Sequence, residues 1–401
     1  MKYFTMMMLS LACTTGQGQE NGAGTVSCGS ATRTTAPVPR VYDVENTGSH
    51  FALPPLPPPD QLKEVRELPD ALEGVNSFAD WSRRRSDIGH NIQHYGIGRK
   101  PAVEPGQVKA RMEGDTALVV DVTVGGETLT LRSTIRYPET GQPPYALMIG
   151  ASMNALPKEL FNDRPIAMMN YHESQVNDYS QWRRDHHDRG EHNFDRLYPE
   201  LKDNGAYSEW AWGFSRLLDG LQQLGPEVTK IDMHRIGVTG CSYAGKMALY
   251  CGAFDERVAL TIAQEPGGGG AAAWRKSHES DEKVEDIDKT DYHWFLESQR
   301  EHFSGDSVYL LPYDQHELCA MVCPRALLLL GNPDYPWLSD PAMQASADAA
   351  RTVWQRFGIA DRFDCDIVGG HGHCQLPQSQ WPLVQDFIDR FLSDKTLNGR
   401  K

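Results

Sequence analysis

A mainly parallel β-sheet sandwiched between helices is the fold class this sequence predicts: a three-layer α/β architecture with antiparallel strands at its N-terminal edge. Three observations predict it. Short apolar runs bounded by breakers recur along the second half of the chain, segments with helical spacing fall between them, and one stretch of strict alternation precedes them all. Runs that are apolar on both faces suit strands covered from both sides, and strands alternating with helices build parallel sheets.

The elements follow in order. "MKYFTMMMLSLACTTGQGQ" places Lys2 before an apolar run from Phe4 to Ala12 and then small and polar residues, the layout of a secretory signal, assigned here to 1–13. That run is far short of the roughly 20 residues a spanning helix needs, so no membrane span is expected. Cys13 directly after Ala12 fits lipoprotein processing, but Ser10 stands where such a site takes a branched aliphatic residue. Ordinary cleavage and secretion, or release into a periplasm, are the expectation. Residues 14–40 read as a flexible leader and 41–396 as one hydrolase domain, entered through "FALPPLPPPD" (51–60), a stiff polyproline-like connector.

"ALVVDVTVGGETLTLRSTIRY" alternates with period two around Gly125-Gly126, the pattern of an antiparallel hairpin. "YALMIGASM", "PIAMMNYH", "RIGVTG", "VALTIAQE", "RALLLLGN" and "FDCDIVGG" supply six buried strands. The intervening "GAYSEWAWGFSRLLDGLQQLG", "AGKMALYCGAF" and "AMQASADAARTVWQRFG", with "WPLVQDFIDRFL" at the end, supply the helices.

The chain has 401 residues, 40% hydrophobic and 23% charged, with a formal net charge of -15. Such a composition can bury a large core. The negative charge argues against nucleic acid or an anionic membrane as partner, and a monomer is expected.

"GVTGCSYAGKM" (237–247) joins a strand to a helix through Ser242, with Gly240 two residues before and Gly245 three after. In an α/β-hydrolase the nucleophilic serine sits on such a turn, which lifts its hydroxyl clear of the sheet and aims backbone amides at the developing oxyanion. Ala244 stands at the usual second glycine of the G-x-S-x-G elbow, and an ordinary helix N-cap would use the same residue types. A base and an acid must follow, in the order serine, acid, histidine. "DIVGGHGHCQLP" offers His371 and His373 in a glycine-rich loop beyond the last strand. Glu265 ends a strand between the two and Asp334 lies after the following one, in the more usual position; spacing does not choose between them. If His373 is the base, Cys241 and Cys374 flank two residues that must meet. A disulfide between them would clamp the serine and histidine loops, whereas two unrelated buried thiols are the alternative.

"GCSYAGK", "FDERVALTIAQEP", "YDQHELCAMVCPRALLLL" and "GGHGHC" together resemble the glucuronoyl esterases, carbohydrate esterase family fifteen, over about residues 140 to 390. The resemblance implies an α/β-hydrolase fold and a secreted serine esterase. Its substrates would be glucuronoxylan and lignin-carbohydrate esters, cleaved between a (4-O-methyl-)glucuronic acid on xylan and a lignin alcohol, with no cofactor. It implies Ser242, Glu265 and His373 as the triad, a Cys241 to Cys374 disulfide, and Lys246, Glu285 and Trp337 as substrate-binding residues. The glutamine that often accompanies the glutamate is not evident. Where the family carries arginine after the serine, this chain has Tyr243, whose backbone amide still suits an oxyanion. Losing one oxyanion donor has cost about 2.7 to 4 kcal/mol elsewhere. Tyr243 therefore keeps two alternatives in view: an esterase for acetylated xylan or aryl esters, and a non-catalytic carbohydrate-binding relative.

Three other groupings read as structure. "RRDHHDRGEH" (183–192) gathers His186, His187 and His192 with acids, but its spacing matches no closed zinc pattern, and no metal is expected. Cys319 and Cys323 lack a second pair. "PGGGGAAAW" (266–274) lacks the lysine and serine of a phosphate loop and reads as a pliable cleft wall.

Overall fold

Among the described residues, nine strands form one sheet: β1 (Val108–Glu113), β2 (Ala117–Val124), β3 (Glu127–Arg136), β4 (Tyr145–Ala151), β5 (Ile166–Tyr171), β6 (Ile231–Cys241), β7 (Val258–Gln264), β8 (Ala326–Gly331) and β9 (Phe363–Ile367). Their order is β1-β2-β3-β5-β4-β6-β7-β8-β9. This computed structural model describes residues 38–181, 192–280 and 283–393. The signal and nearly all of the leader expected from the sequence lie outside them.

The alternating segment forms the β2–β3 hairpin, with Val124 opposite Glu127 and Gly125 and Gly126 at φ +60° and +94°. Both turn residues need positive φ in this type of hairpin, and glycine supplies it without a Cβ clash. β1 pairs antiparallel to β2, and β3 antiparallel to β5. From β5 to β9 all pairings are parallel.

Side chains along the central strands alternate between two cores. Leu147, Ile149, Leu327 and Leu329 join the larger one, under the helices Phe78–Ile92, Ala206–Leu224, Tyr243–Phe254 and Asp340–Arg356. Ala146, Met148, Leu328 and Leu330 join the smaller one, closed by Val384, Phe387, Ile388 and Phe391 of the helix Trp381–Phe391. Both faces are therefore apolar, which is why these strands read as unbroken hydrophobic runs.

Residues 51–60, expected as a stiff connector, lie against the domain: the carbonyls of Ala52, Pro54 and Pro57 bond to Arg83, His90 and Tyr95, strapping the segment to the helix Phe78–Ile92, not expected from the sequence, and the turn that follows it. That helix begins at a Ser77/Asp80 capping box. No helix among the described residues is long and apolar enough to cross a membrane.

Candidate active site

β6 runs into the helix Tyr243–Phe254 through Ser242, which is held at φ +59°, ψ −126°. That region is costly for a residue with a Cβ, on the order of 1 to 3 kcal/mol, and two bonds hold it. The Ser242 amide donates to the Gln264 carbonyl at 3.0 Å, and the Lys246 amide to the Ser242 carbonyl at 2.9 Å. The flanking glycines are required by close approach. A Cβ at 240 would lie 2.1 Å from the Ala244 carbonyl oxygen, and one at 245 would lie 2.4 Å from that of Gln264.

Glu265 follows β7 at φ +48° and is buried. Its carboxylate bonds the His373 ring through Nδ1 and accepts the Cys374 amide at 3.1 and 3.2 Å. Gln264 Nε2 adds a donor at 3.3 Å. With Nδ1–H turned to Glu265, Nε2 is the nitrogen left to act as a base. His373 lines the same cavity as Ser242. Asp334 faces elsewhere: it accepts the Gly370 amide, and a Cβ on Gly369 would sit 2.8 Å from its Oδ1. It holds the backbone of the histidine loop. His371 is packed away too, with Nε2 on the Val368 carbonyl at 2.8 Å and Nδ1 against Asn332 at 3.2 Å.

Cys241 and Cys374 are joined as a disulfide across a sequence separation of 133. In the chain-entropy model a loop of that length is worth about 5 kcal/mol before strain. The Cys241→Ala/Cys374→Ala double variant is expected to lose about 3 to 5 kcal/mol of unfolding free energy in urea titration. Cys251, Cys319 and Cys323 are buried free thiols and Cys365 is a half-buried one, with burial raising the pKa of each.

Lys246, Glu285 and Trp337 form one wall of the cavity. Lys246 is 3% exposed, not a surface lysine. Its Nζ meets Glu285 Oε2 at 3.0 Å and lies 5.0 Å from the Trp294 ring centroid. Glu285 also accepts the Thr290 hydroxyl at 2.8 Å, and its amide donates to the Trp337 carbonyl at 3.0 Å. The glycine run 267–270 is not a pliable cleft wall. It lies buried behind these residues, and a Cβ at 268 would meet the Glu285 carbonyl oxygen at 2.4 Å.

Tyr243 points its hydroxyl at Ser152 Oγ (2.9 Å) and donates to Glu173 Oε1 (3.2 Å). Burial, then the Glu173 charge, raises its pKa, so it stays protonated. Its hydroxyl is committed, and what it offers an oxyanion is its backbone amide.

Sequence reasoning missed Glu173, Ser152, Thr290, Trp294 and Tyr335. Tyr335 Oη accepts the His373 amide at 2.8 Å, and its ring packs at 4.8 Å from Trp337 and 5.3 Å from His373. It stands between two residues the sequence singled out, in "PDYPW", whereas Glu173 carries no local signal. His186 and His187 lie outside the described residues. His192 pairs with buried Glu209 at 3.1 Å, and burial pushes that carboxyl up to about 7.

Asp340, at the start of its helix, is buried near Glu265. Burial, then the Glu265 charge, pushes its pKa up to about 6. A carboxyl whose folded pKa is raised holds its proton more tightly when folded, so stability falls as pH rises from about 4 through 6. Asp340→Asn keeps an acceptor and removes this loss. Its melting temperature should exceed the parent's at pH 8, with the gap closing by pH 4.

Comparison with known proteins finds relatives over most of the chain. The family model described as "Glucuronyl esterase, fungi" matches residues 120–358. A 4-O-methyl-glucuronoyl methylesterase of Cerrena unicolor is 36% identical over 349 residues, covering 82% of this chain and 70% of that protein. The glucuronoyl esterase catalytic domain of Hypocrea jecorina superposes with a TM-score of 0.77 at 30% identity, covering 86% of this chain and 93% of that one. A glucuronoyl esterase mutant from Sporotrichum thermophile, solved in complex with methyl 4-O-methyl-β-D-glucopyranuronate, gives 0.76 at 30% identity, covering 84% and 90%.

Proposed function

Because the chain belongs to the glucuronyl esterase family and is thus a carboxylic ester hydrolase, we propose that it cleaves the ester between a glucuronic or 4-O-methyl-glucuronic acid on xylan and a lignin alcohol. The observation that carries this reading is the wall beside Ser242: a buried lysine held by Glu285, next to the half-exposed ring of Trp337. Ammonium and carboxylate suit sugar hydroxyls, and an apolar ring suits a sugar face.

Ser242 Oγ attacks the ester carbonyl while His373 Nε2 takes its proton, and Glu265 stabilises the imidazolium through Nδ1–H. The Tyr243 amide donates to the oxyanion. The carbon–oxygen bond to the alcohol breaks, and the alcohol leaves with the proton from His373. Water, activated by the same histidine, then releases the acid. We further propose that the enzyme acts after export, on the strength of its N-terminal sequence, and as a monomer, since one chain supplies every group used here.

A second reading, an esterase for acetyl or aryl esters, is favoured by Tyr243, whose hydroxyl is engaged by Glu173 where the family places a guanidinium. Benzyl glucuronate offered beside an aryl acetate separates the two. Turnover of the glucuronate is expected, and turnover of the acetate alone would sink the first reading.

A further inference from the structure

The cavity at Ser242 is larger than a single sugar acid needs. Its volume is 1660 Å³, against roughly 300 to 1,000 Å³ for a typical small-molecule site. Its described lining also divides by charge. Every lining carboxylate, ammonium and guanidinium comes from Lys246 or from residues 283–301, whereas residues 152–155, Gln181 and Tyr243 contribute neutral side chains. Separate sets of bonds build the two parts: Lys246, Glu285 and Trp337 in the first, Tyr243 on Ser152 in the second.

Met153 is the feature of the neutral part that packing does not explain. It is 63% exposed, and of the six large apolar side chains most exposed among the described residues, it and Trp337 both border this cavity. The turn presenting it is tightly built. Ser152 stands at φ +64°, the Met153 amide donates to the Ala151 carbonyl at 2.8 Å, and a Cβ on Gly150 would meet the Asn154 nitrogen at 2.2 Å.

We propose that residues 152–155, Gln181 and Tyr243 form the subsite for the alcohol half of the ester, and that Met153 there selects aromatic alcohols. This rests on the glucuronate reading, which gives the charged wall to the acid and leaves the neutral one to the leaving group. A thioether packs well against a ring edge. The departing alcohol, protonated by His373 as its bond to the carbonyl carbon breaks, is a neutral apolar molecule, which a wall whose described lining carries no charged side chain accommodates.

The test compares kcat/KM for benzyl and methyl glucuronate, and for benzyl and methyl acetate, in the parent, Met153→Asn and Met153→Leu. The side chain is exposed, so both variants should fold. The benzyl-to-methyl ratio should fall about fivefold or more in Met153→Asn, mainly through KM, and recover to within about twofold of the parent in Met153→Leu. An unchanged ratio in Met153→Asn overturns the subsite. Turnover of acetates without glucuronates would instead overturn the glucuronate reading, and the ratio on the acetates would still decide the role of Met153.

Discussion

Glu265→Gln should lower kcat by about 10⁴, the size of the loss when the equivalent aspartate of a trypsin-type triad becomes asparagine, while Asp334→Asn should lower it less than tenfold. The difference follows from where each carboxylate points. Glu265 bonds His373 Nδ1 and the Cys374 amide. A neutral amide there neither fixes the productive tautomer nor stabilises the imidazolium. Asp334 touches only the backbone of the histidine loop among the contacts described above, and asparagine keeps an acceptor for it. Steady-state kinetics on benzyl glucuronate, with melting temperatures to verify folding, provide the comparison. A larger loss in Asp334→Asn would reverse the assignment.

Ser242→Ala should cost still more, about 10⁵ to 10⁶ in kcat, since removing the nucleophile disables the triad as a unit. Ser242→Gly should be as inactive yet more stable than the parent, by on the order of 1 kcal/mol. Glycine meets no Cβ penalty at φ +59°. Loss of activity with gain of stability would mark the strain as one kept for catalysis. Urea unfolding of the two variants reads it, and a less stable Ser242→Gly would show that the elbow stores no strain.

The parallel sheet was readable because its strands are buried on both faces, so Leu327 to Leu330 form an unbroken apolar run whichever core each one enters. The hairpin was readable from its period-two alternation around a Gly-Gly pair, one of the few pairs that suit a turn with positive φ at both central residues. The helix Phe78–Ile92 was not, although its Ser77-x-x-Asp80 cap stood in plain view. Its sequence carries three consecutive arginines, and the helix buries Arg85, whose Nε donates to the Met321 carbonyl at 2.7 Å and whose Nη1 meets Glu256 at 3.2 Å. A buried charge whose partners lie far along the chain looks like solvent-facing polarity until the chain is folded.

The site divides in the same way. Ser242 and His373 lie in short motifs whose spacing reflects backbone geometry. Choosing Glu265 over Asp334 took a family resemblance, because both follow parallel strands, Glu265 directly and Asp334 three residues on, and spacing alone does not show which carboxylate faces His373. The role of Glu173 depends on a contact 70 residues away, which no local pattern encodes. "PGGGG" misled for a related reason: glycines that permit close packing look the same in sequence as glycines that permit motion.

The most direct measurement is the mass of the covalent intermediate. The enzyme is mixed with benzyl glucuronate, quenched in acid within the first turnover, digested, and its peptides are weighed. A glucuronoyl adduct on the peptide carrying Ser242, absent from Ser242→Ala, is the predicted result. Release of benzyl alcohol with no adduct on Ser242, or with an adduct on another residue, would contradict the account.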